Sequence, residues 1–255
     1  MSKLFYSDSG KGKPVVLLHG FLETNLIWKR FAENLSTEYR VIAFDLPGFG
    51  QSPLPEKKPF TLDDIAFQIS KALDELGLKD VFLIGHSLGG YVSLAMVNAR
   101  PDFFSGFCLF HSTALADSTE KKEARTKTID FVLKNGALAF TSNFVPPLFA
   151  DPNHTSVSHV KKIASATAQE TVINYLEAMR DRPERISLLK SYPKPVLLIA
   201  GDRDTVIPVN TLQEQAKIAH KATIHVLEGV GHMGMFELPD GSLKIIRDFL
   251  SLHGK

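Results

Sequence analysis

Gly85-His86-Ser87-Leu88-Gly89 places a serine between two glycines, directly after the apolar run 81–84 and ahead of a helix-like stretch, 88–99. A serine on so sharp a strand-to-helix turn projects its hydroxyl away from the sheet. Side chains at 85 and 89 would collide with neighbouring chain there, and glycine accepts dihedrals that other residues resist. The hydroxyl is a poor nucleophile until a base removes its proton, so Ser87 calls for a histidine. Nine histidines are present. Elbows of this kind take their partners in the chain order serine, acid, histidine, which leaves His220, His225, His232 and His253. His220 falls at a helix end, His225 inside a strand and His253 in the terminal tail. His232 lies in the glycine-rich loop Glu228-Gly229-Val230-Gly231-His232-Met233 after the last apolar run, and it is the expected base.

The acid must orient the imidazole through its second nitrogen. Gly201-Asp202-Arg203-Asp204-Thr205-Val206-Ile207-Pro208 follows the run 196–200 and offers two aspartates. A carboxylate beside the strand tip tends to hold the turn, whereas one further along the loop can face the histidine. Asp204 is therefore the expected acid and Asp202 the turn residue. The tetrahedral intermediate of acyl transfer also needs preorganised donors. The Leu88 N–H is one, and the Phe21 N–H, in the loop His19-Gly20-Phe21-Leu22, is the second. Losing one such donor typically raises the barrier by about 3 kcal/mol. His19 and Gly20 are expected to shape that loop.

Continuous rather than alternating apolarity marks strands buried on both faces. Such runs occur at 15–18, 41–44, 81–84, 107–110, 196–199 and 223–227, with a short and antiparallel start around 3–6. Helices are expected at 26–35, 62–76, 88–99, 211–219 and 239–250. This alternation predicts an α/β protein with a mostly parallel, doubly wound sheet. From 113 to 191 no strand is expected, while 121–133, 137–144 and 157–179 have helical character. The interval is too long for a simple crossover. It reads as an inserted helical cap, so residues 1–112 and 192–255 form the core and 113–191 the cap.

The composition is that of an ordinary enzyme. A net charge of +1 over 255 residues gives no field that would attract nucleic acid or an anionic membrane. No apolar run is long enough to span a bilayer, and no secretory leader is expected at the N-terminus. The single cysteine, Cys108, excludes an internal disulfide and fits a reducing, cytoplasmic setting. No clustered Cys/His spacing marks a metal site, so neither a metal nor an organic cofactor is expected. The sequence sets no oligomeric state.

Taken together, His19-Gly20-Phe21, Asp45-Leu46-Pro47-Gly48-Phe49-Gly50-Gln51-Ser52, the elbow 85–90, Gly201 to Asp204 with Pro208, and Gly231-His232 resemble the α/β-hydrolase fold nearly end to end. The resemblance implies a serine hydrolase with a lid. It supports Asp204 over Asp202, because the acid usually stands three residues after that glycine, and it makes 45–52 a structural loop. Ser87 departs from the aspartate nucleophile of haloalkane dehalogenases and epoxide hydrolases. The elbow also differs from those of proline iminopeptidases and C–C bond hydrolases. Carboxylesterases and cofactor-free haloperoxidase-like esterases are the nearest in pattern.

The insertion concentrates apolar bulk at Phe131, Leu138, Phe140, Phe144, Val145, Leu148 and Phe149, and Trp28 follows the oxyanion loop. Trp28, Phe131, Phe140, Phe144 and Leu148 are the expected substrate walls, suited to a small-molecule ester with a small hydrophobic group. His111 reads as structural. The charged runs 120–125 and 180–185 read as solvated helix faces or ends. The expected activity is ester hydrolysis through an acyl-enzyme. The alternatives are a lyase, acyltransferase or C–C hydrolase using the same residues, or a ligand-binding protein without turnover.

Overall fold

β-Branched and aromatic runs become the inner strands of one sheet in a computed structural model that describes residues 3–253. The strands are β1 (Tyr6–Ser9), β2 (Pro14–Leu18), β3 (Arg40–Phe44), β4 (Val81–His86), β5 (Phe104–Phe110), β6 (Val196–Gly201) and β7 (Ala222–Leu227). Their order across the sheet is β1-β3-β2-β4-β5-β6-β7. Only β1 runs antiparallel, along β3; every other pairing is parallel. The antiparallel start thus lies at 6–9 rather than around 3–6. Every residue of β4 and β6 is buried, which accounts for their unbroken apolar sequence. At the edge, β7 is only half-buried, so it tolerates Thr223 and His225.

The helices are α1 (Lys29–Leu35), α2 (Leu62–Glu75), α3 (Leu88–Ala99), α4 (Thr119–Asn135), α5 (Ala137–Phe144), α6 (Val157–Ser165), α7 (Gln169–Arg180), α8 (Ile186–Ser191), α9 (Val209–Ile218), α10 (Gly234–Glu237) and α11 (Pro239–His253). The expected helix at 26–35 divides into a 3₁₀ turn, Asn25–Trp28, and α1, because the Thr24 side chain caps the turn by accepting the Leu26 N–H. The expected helix 157–179 likewise breaks between α6 and α7, at Ala166 to Ala168. No helix among the described residues is long and apolar enough to cross a membrane.

The segment between β5 and β6 is helical, α4 to α8, with a 3₁₀ turn at Pro146–Leu148. It is fastened onto the strand ends by polar contacts. The Tyr175 hydroxyl donates to the Pro47 carbonyl (2.8 Å) and Thr171 Oγ1 to the Gly48 carbonyl (3.1 Å). The His232 N–H donates to the Leu148 carbonyl (2.7 Å). A Cβ on Gly231 would stand 2.6 Å from the Ala150 nitrogen, so glycine there permits the close approach.

Candidate active site

Ser87 joins β4 to α3 with φ 48° and ψ −112°, a conformation that costs a non-glycine residue of order 1–3 kcal/mol. The surroundings hold it there. Its N–H donates to the Phe110 carbonyl (3.0 Å), and its own carbonyl accepts from the Gly90 N–H (3.0 Å) and the Ser112 hydroxyl (2.7 Å). A Cβ on Gly85 would lie 2.4 Å from the Gly89 carbonyl oxygen, and one on Gly89 would lie 2.3 Å from that of Leu18. Although Ser87 is the N-cap residue of α3, its side chain makes no capping bond, so the hydroxyl stays available. Among the described residues, the N–H groups of Leu88 and Phe21 donate to no protein acceptor.

Asp204 lies buried in the loop after β6, whereas Asp202 is exposed. One carboxylate oxygen, Oδ1, accepts the N–H groups of Val206 (2.8 Å) and Ile207 (2.9 Å). The other, Oδ2, accepts Nδ1–H of His232 (2.8 Å) and Nδ1–H of His111 (3.1 Å). Burial works to raise the Asp204 carboxyl, but the two histidines override it and hold the group far below the usual carboxylate range. Burial pushes the His111 ring down to about 4 against the pull of Asp204, so it sits neutral as an N–H donor. Its Nε2 is buried without a partner among the described residues. The ligand-capable atoms of His111, Asp204 and His232 lie within 4.8 Å of one another, a proximity that these N–H···O bonds account for.

A second buried pair underlies the elbow. Glu23 Oε2 accepts the Gly20 N–H (2.6 Å) and faces His86 Nδ1 (2.9 Å), while His86 Nε2–H donates to the His232 carbonyl (2.9 Å). Burial favours the neutral form of both groups, yet their mutual attraction raises His86 and lowers Glu23. His19, also buried, has its pKa lowered by that burial. It donates Nδ1–H to the Gly20 carbonyl (2.8 Å) and accepts the Leu46 N–H at Nε2 (2.9 Å), which fixes the 19–22 loop. Asp45 takes the Asn25 and Gln51 N–H groups on its two oxygens (2.8 and 2.9 Å), so the 45–52 segment is a structural loop.

Ser87 and His232 line one cavity of about 90 Å³, together with Phe21, Glu23, His86, Tyr91, Arg125, Phe144, Leu148, Met179 and Val206. Phe144 and Leu148, two of the five expected substrate-wall residues, line this cavity. Three other expected wall residues do not line it. Trp28 is fully buried behind His86, against Phe31 and Phe110. Phe131 is 44% exposed on α4, because Ile129 and Val132 take the inward positions of that helix. Phe140 packs behind Phe21 and Phe144, one layer removed. The charged runs also need correction: Arg125 lines the cavity, and Arg182 and Arg185 are buried.

The model of the alpha/beta hydrolase family matches residues 15–243. The chain belongs to the alpha/beta hydrolase family. Among solved structures, a thermophilic esterase from Thermogutta terrifontis has a TM-score of 0.92 at 29% identity, covering 98% of this chain and 94% of that one. A non-heme chloroperoxidase of Kitasatospora aureofaciens is 28% identical over 279 residues, 99% of this chain and 96% of that protein. The dihydrolipoyllysine-residue acetyltransferase component of the acetoin cleaving system of Pseudomonas putida is 28% identical over 250 residues. That match takes in 95% of this chain but spans only 64% of that relative's length.

Four cavity and support residues of this alpha/beta hydrolase escaped the sequence reading. Glu23 and His86 look like loop and elbow filler, since a pair 63 residues apart leaves no local pattern. Arg125 sits in a run of charges that resembles any solvated helix. Tyr91 lies on α3, whose residues 88–97 are buried almost all round, so periodicity singles out no face. The signal for His86 was its position beside Ser87 with an unclaimed carboxylate four residues after His19.

Proposed function

We propose that this chain is a serine hydrolase that cleaves small carboxylic esters through an acyl-enzyme. The observation that carries the reading is Ser87, held in a strained conformation with an uncommitted hydroxyl, lining one cavity with a His232 whose Nδ1–H is bonded to a buried Asp204 carboxylate. With Nδ1 protonated, Nε2 of the neutral ring carries the lone pair that a general base needs.

Ser87 Oγ attacks the acyl carbon while His232 Nε2 takes its proton. The imidazolium so formed is stabilised by Asp204, which stays ionised because its oxygens accept four N–H groups. The N–H groups of Phe21 and Leu88 receive the oxyanion. As the tetrahedral intermediate collapses, the alcohol leaves with the proton from His232. Water then attacks the acyl-enzyme, with His232 as base again, and Ser87 regains its proton as the acid departs.

Residues 113–191 serve as the cap, contributing Arg125, Phe144, Leu148 and Met179 to the cavity. At about 90 Å³ the cavity is well below the range of drug-sized pockets, which favours short acyl groups. The esterase named among the structural neighbours agrees with this reading.

The test is hydrolysis of p-nitrophenyl acetate, butyrate and decanoate by the wild type and by Ser87→Ala. Wild-type turnover should favour the short chains and fall by several orders of magnitude in the variant. Adding methanol or hydroxylamine separates hydrolysis from acyl transfer: the free acid should remain the main product. Ser87→Ala retaining most of the turnover contradicts the assignment.

A further inference from the structure

We infer that the cavity beside Ser87 contains a carboxylate-binding subsite built on Arg125, so that the preferred esters carry a second, ionised carboxyl group. This rests on the ester reading above and narrows its substrate class.

Arg125 projects from α4 into the wall of the cavity that Ser87 and His232 line. Its Nε–H donates to Asp117 Oδ2, which fixes the plane of the guanidinium. Among the described residues, Nη1 and Nη2 of Arg125 have no protein acceptor. Those two nitrogens form the fork that a planar carboxylate accepts in a bidentate manner. The side chain is only 21% exposed, yet its two Nη atoms stay accessible to an incoming anion rather than sealed in the core.

Asp117 does not cancel the positive charge. It is itself buried and also holds Arg182, whose Nη1 lies 2.8 Å from Oδ1. Arg182 in turn stacks over the ring of Tyr91, another cavity residue, 4.0 Å from its centroid. Lys121 adds a third cation, donating to the carbonyl of Val206 (3.2 Å) at the cavity's edge. Two arginines therefore share one carboxylate, and Lys121 adds a further positive charge beside them. On the other wall the one lining acid, Glu23, is paired with His86 and the Gly20 amide, while the Asp204 carboxylate is turned away onto two histidines and two amides. An anion entering this cavity meets an excess of positive charge on the cap side and apolar walls (Phe21, Phe144, Leu148, Met179) on its way. A short diacid half-ester has that layout: an ester carbonyl for Ser87, a few methylenes, and a carboxylate for Arg125.

The experiment compares monoethyl succinate, glutarate and adipate with ethyl butanoate, pentanoate and hexanoate as substrates for the wild type, Arg125→Leu and Arg125→Lys. Calorimetry of the same esters with Ser87→Ala and Ser87→Ala/Arg125→Leu reads binding without chemistry. Asp117 keeps Arg182 in each variant, and thermal melts confirm the fold. The wild type should prefer at least one half-ester by about 10- to 100-fold in kcat/KM. Arg125→Leu should abolish that preference, chiefly through KM, and Arg125→Lys should restore part of it. Ser87→Ala should bind the half-ester at least tenfold more tightly than the double variant. Equal use of charged and neutral esters by the wild type, or a half-ester affinity that Arg125→Leu leaves intact, overturns the subsite. If the wild type hydrolyses neither set while binding still depends on Arg125, the ester reading fails and the subsite stands.

Discussion

His86 bridges two loops through one ring: Nδ1 lies 2.9 Å from Glu23 Oε2, and Nε2 lies 2.9 Å from the His232 carbonyl oxygen. Both neighbours are acceptors, and Glu23 Oε2 already takes the Gly20 N–H. With Glu23 held below its ordinary carboxyl value by this neighbour, the ionised carboxylate leaves the ring donating from both nitrogens, as an imidazolium. The pair ties the loop carrying Phe21 to the loop carrying His232, directly beneath Ser87.

That pairing sets a pH dependence. His86 is raised above 6.5, so its stabilisation is complete below 6.5 and is lost as pH rises through the higher folded value. Glu23 is lowered below 4.5, so its share is present above 4.5 and is lost as pH falls through the lower folded value. Glu23→Gln should cost about 3 kcal/mol near neutral pH and flatten the decline of Tm on the alkaline side. Thermal melts of both proteins from pH 4 to 9 check this; parallel curves contradict the pairing.

His111 should act in the opposite sense. Its folded value is about 4 against an ordinary 6.5, so its contribution is complete above 6.5. As pH falls from 6.5 to 4 the unfolded chain gains a proton that the folded protein refuses, a loss on the order of 3 kcal/mol. His111→Asn can still donate to Asp204 and carries no titrating ring. Its Tm should fall less steeply than that of the wild type between pH 6.5 and 4, and an unchanged slope refutes the neutral-donor role.

Asp204→Asn should lower kcat by about 10³- to 10⁴-fold with little change in KM. The Val206 and Ile207 amides hold the amide oxygen on their side, so its NH₂ faces two histidine N–H donors and forces a tautomer change. Asp202→Asn, exposed on the same loop, should keep turnover within about twofold of wild type. Steady-state kinetics of the two variants distinguish the acids, and equal losses contradict the assignment of roles.

Gly89→Ala should destabilise the chain by more than about 3 kcal/mol, because a Cβ would stand 2.3 Å from the Leu18 backbone oxygen. Gly77 makes the control. It has φ +66° but nothing within 4 Å of a Cβ, so alanine there should cost only about 1 kcal/mol of backbone strain. Urea midpoints give both values.

Much of this fold is visible in the chain as written. The strands at 15–18, 81–84 and 196–199 announce themselves because burial on both faces demands unbroken apolar sequence. Glycine at 85 and 89 follows from backbone crowding around Ser87. Tertiary pairing is far less legible. No local pattern pairs Glu23 with His86 across 63 residues, and the two hydrogen bonds that Asp204 accepts from His111 and His232 depend on three separate strand ends meeting. Trp28 shows the limit of adjacency: it follows the 19–22 loop in sequence, but the 3₁₀ turn at Asn25–Trp28 swings it into the core beneath His86. Arg125 shows the limit of composition, since a charged helix is read as solvated until something packs over it.

Ester cleavage by this site requires Ser87 to be an activated nucleophile. Incubating the wild type, Ser87→Ala and His232→Ala with a small fluorophosphonate, followed by peptide mass spectrometry, tests it most directly. One adduct should form, on Ser87, in step with loss of p-nitrophenyl butyrate hydrolysis; it should be absent in Ser87→Ala and strongly slowed in His232→Ala. An unlabelled Ser87 in protein that still hydrolyses the ester, or labelling that is indifferent to His232, contradicts that activation.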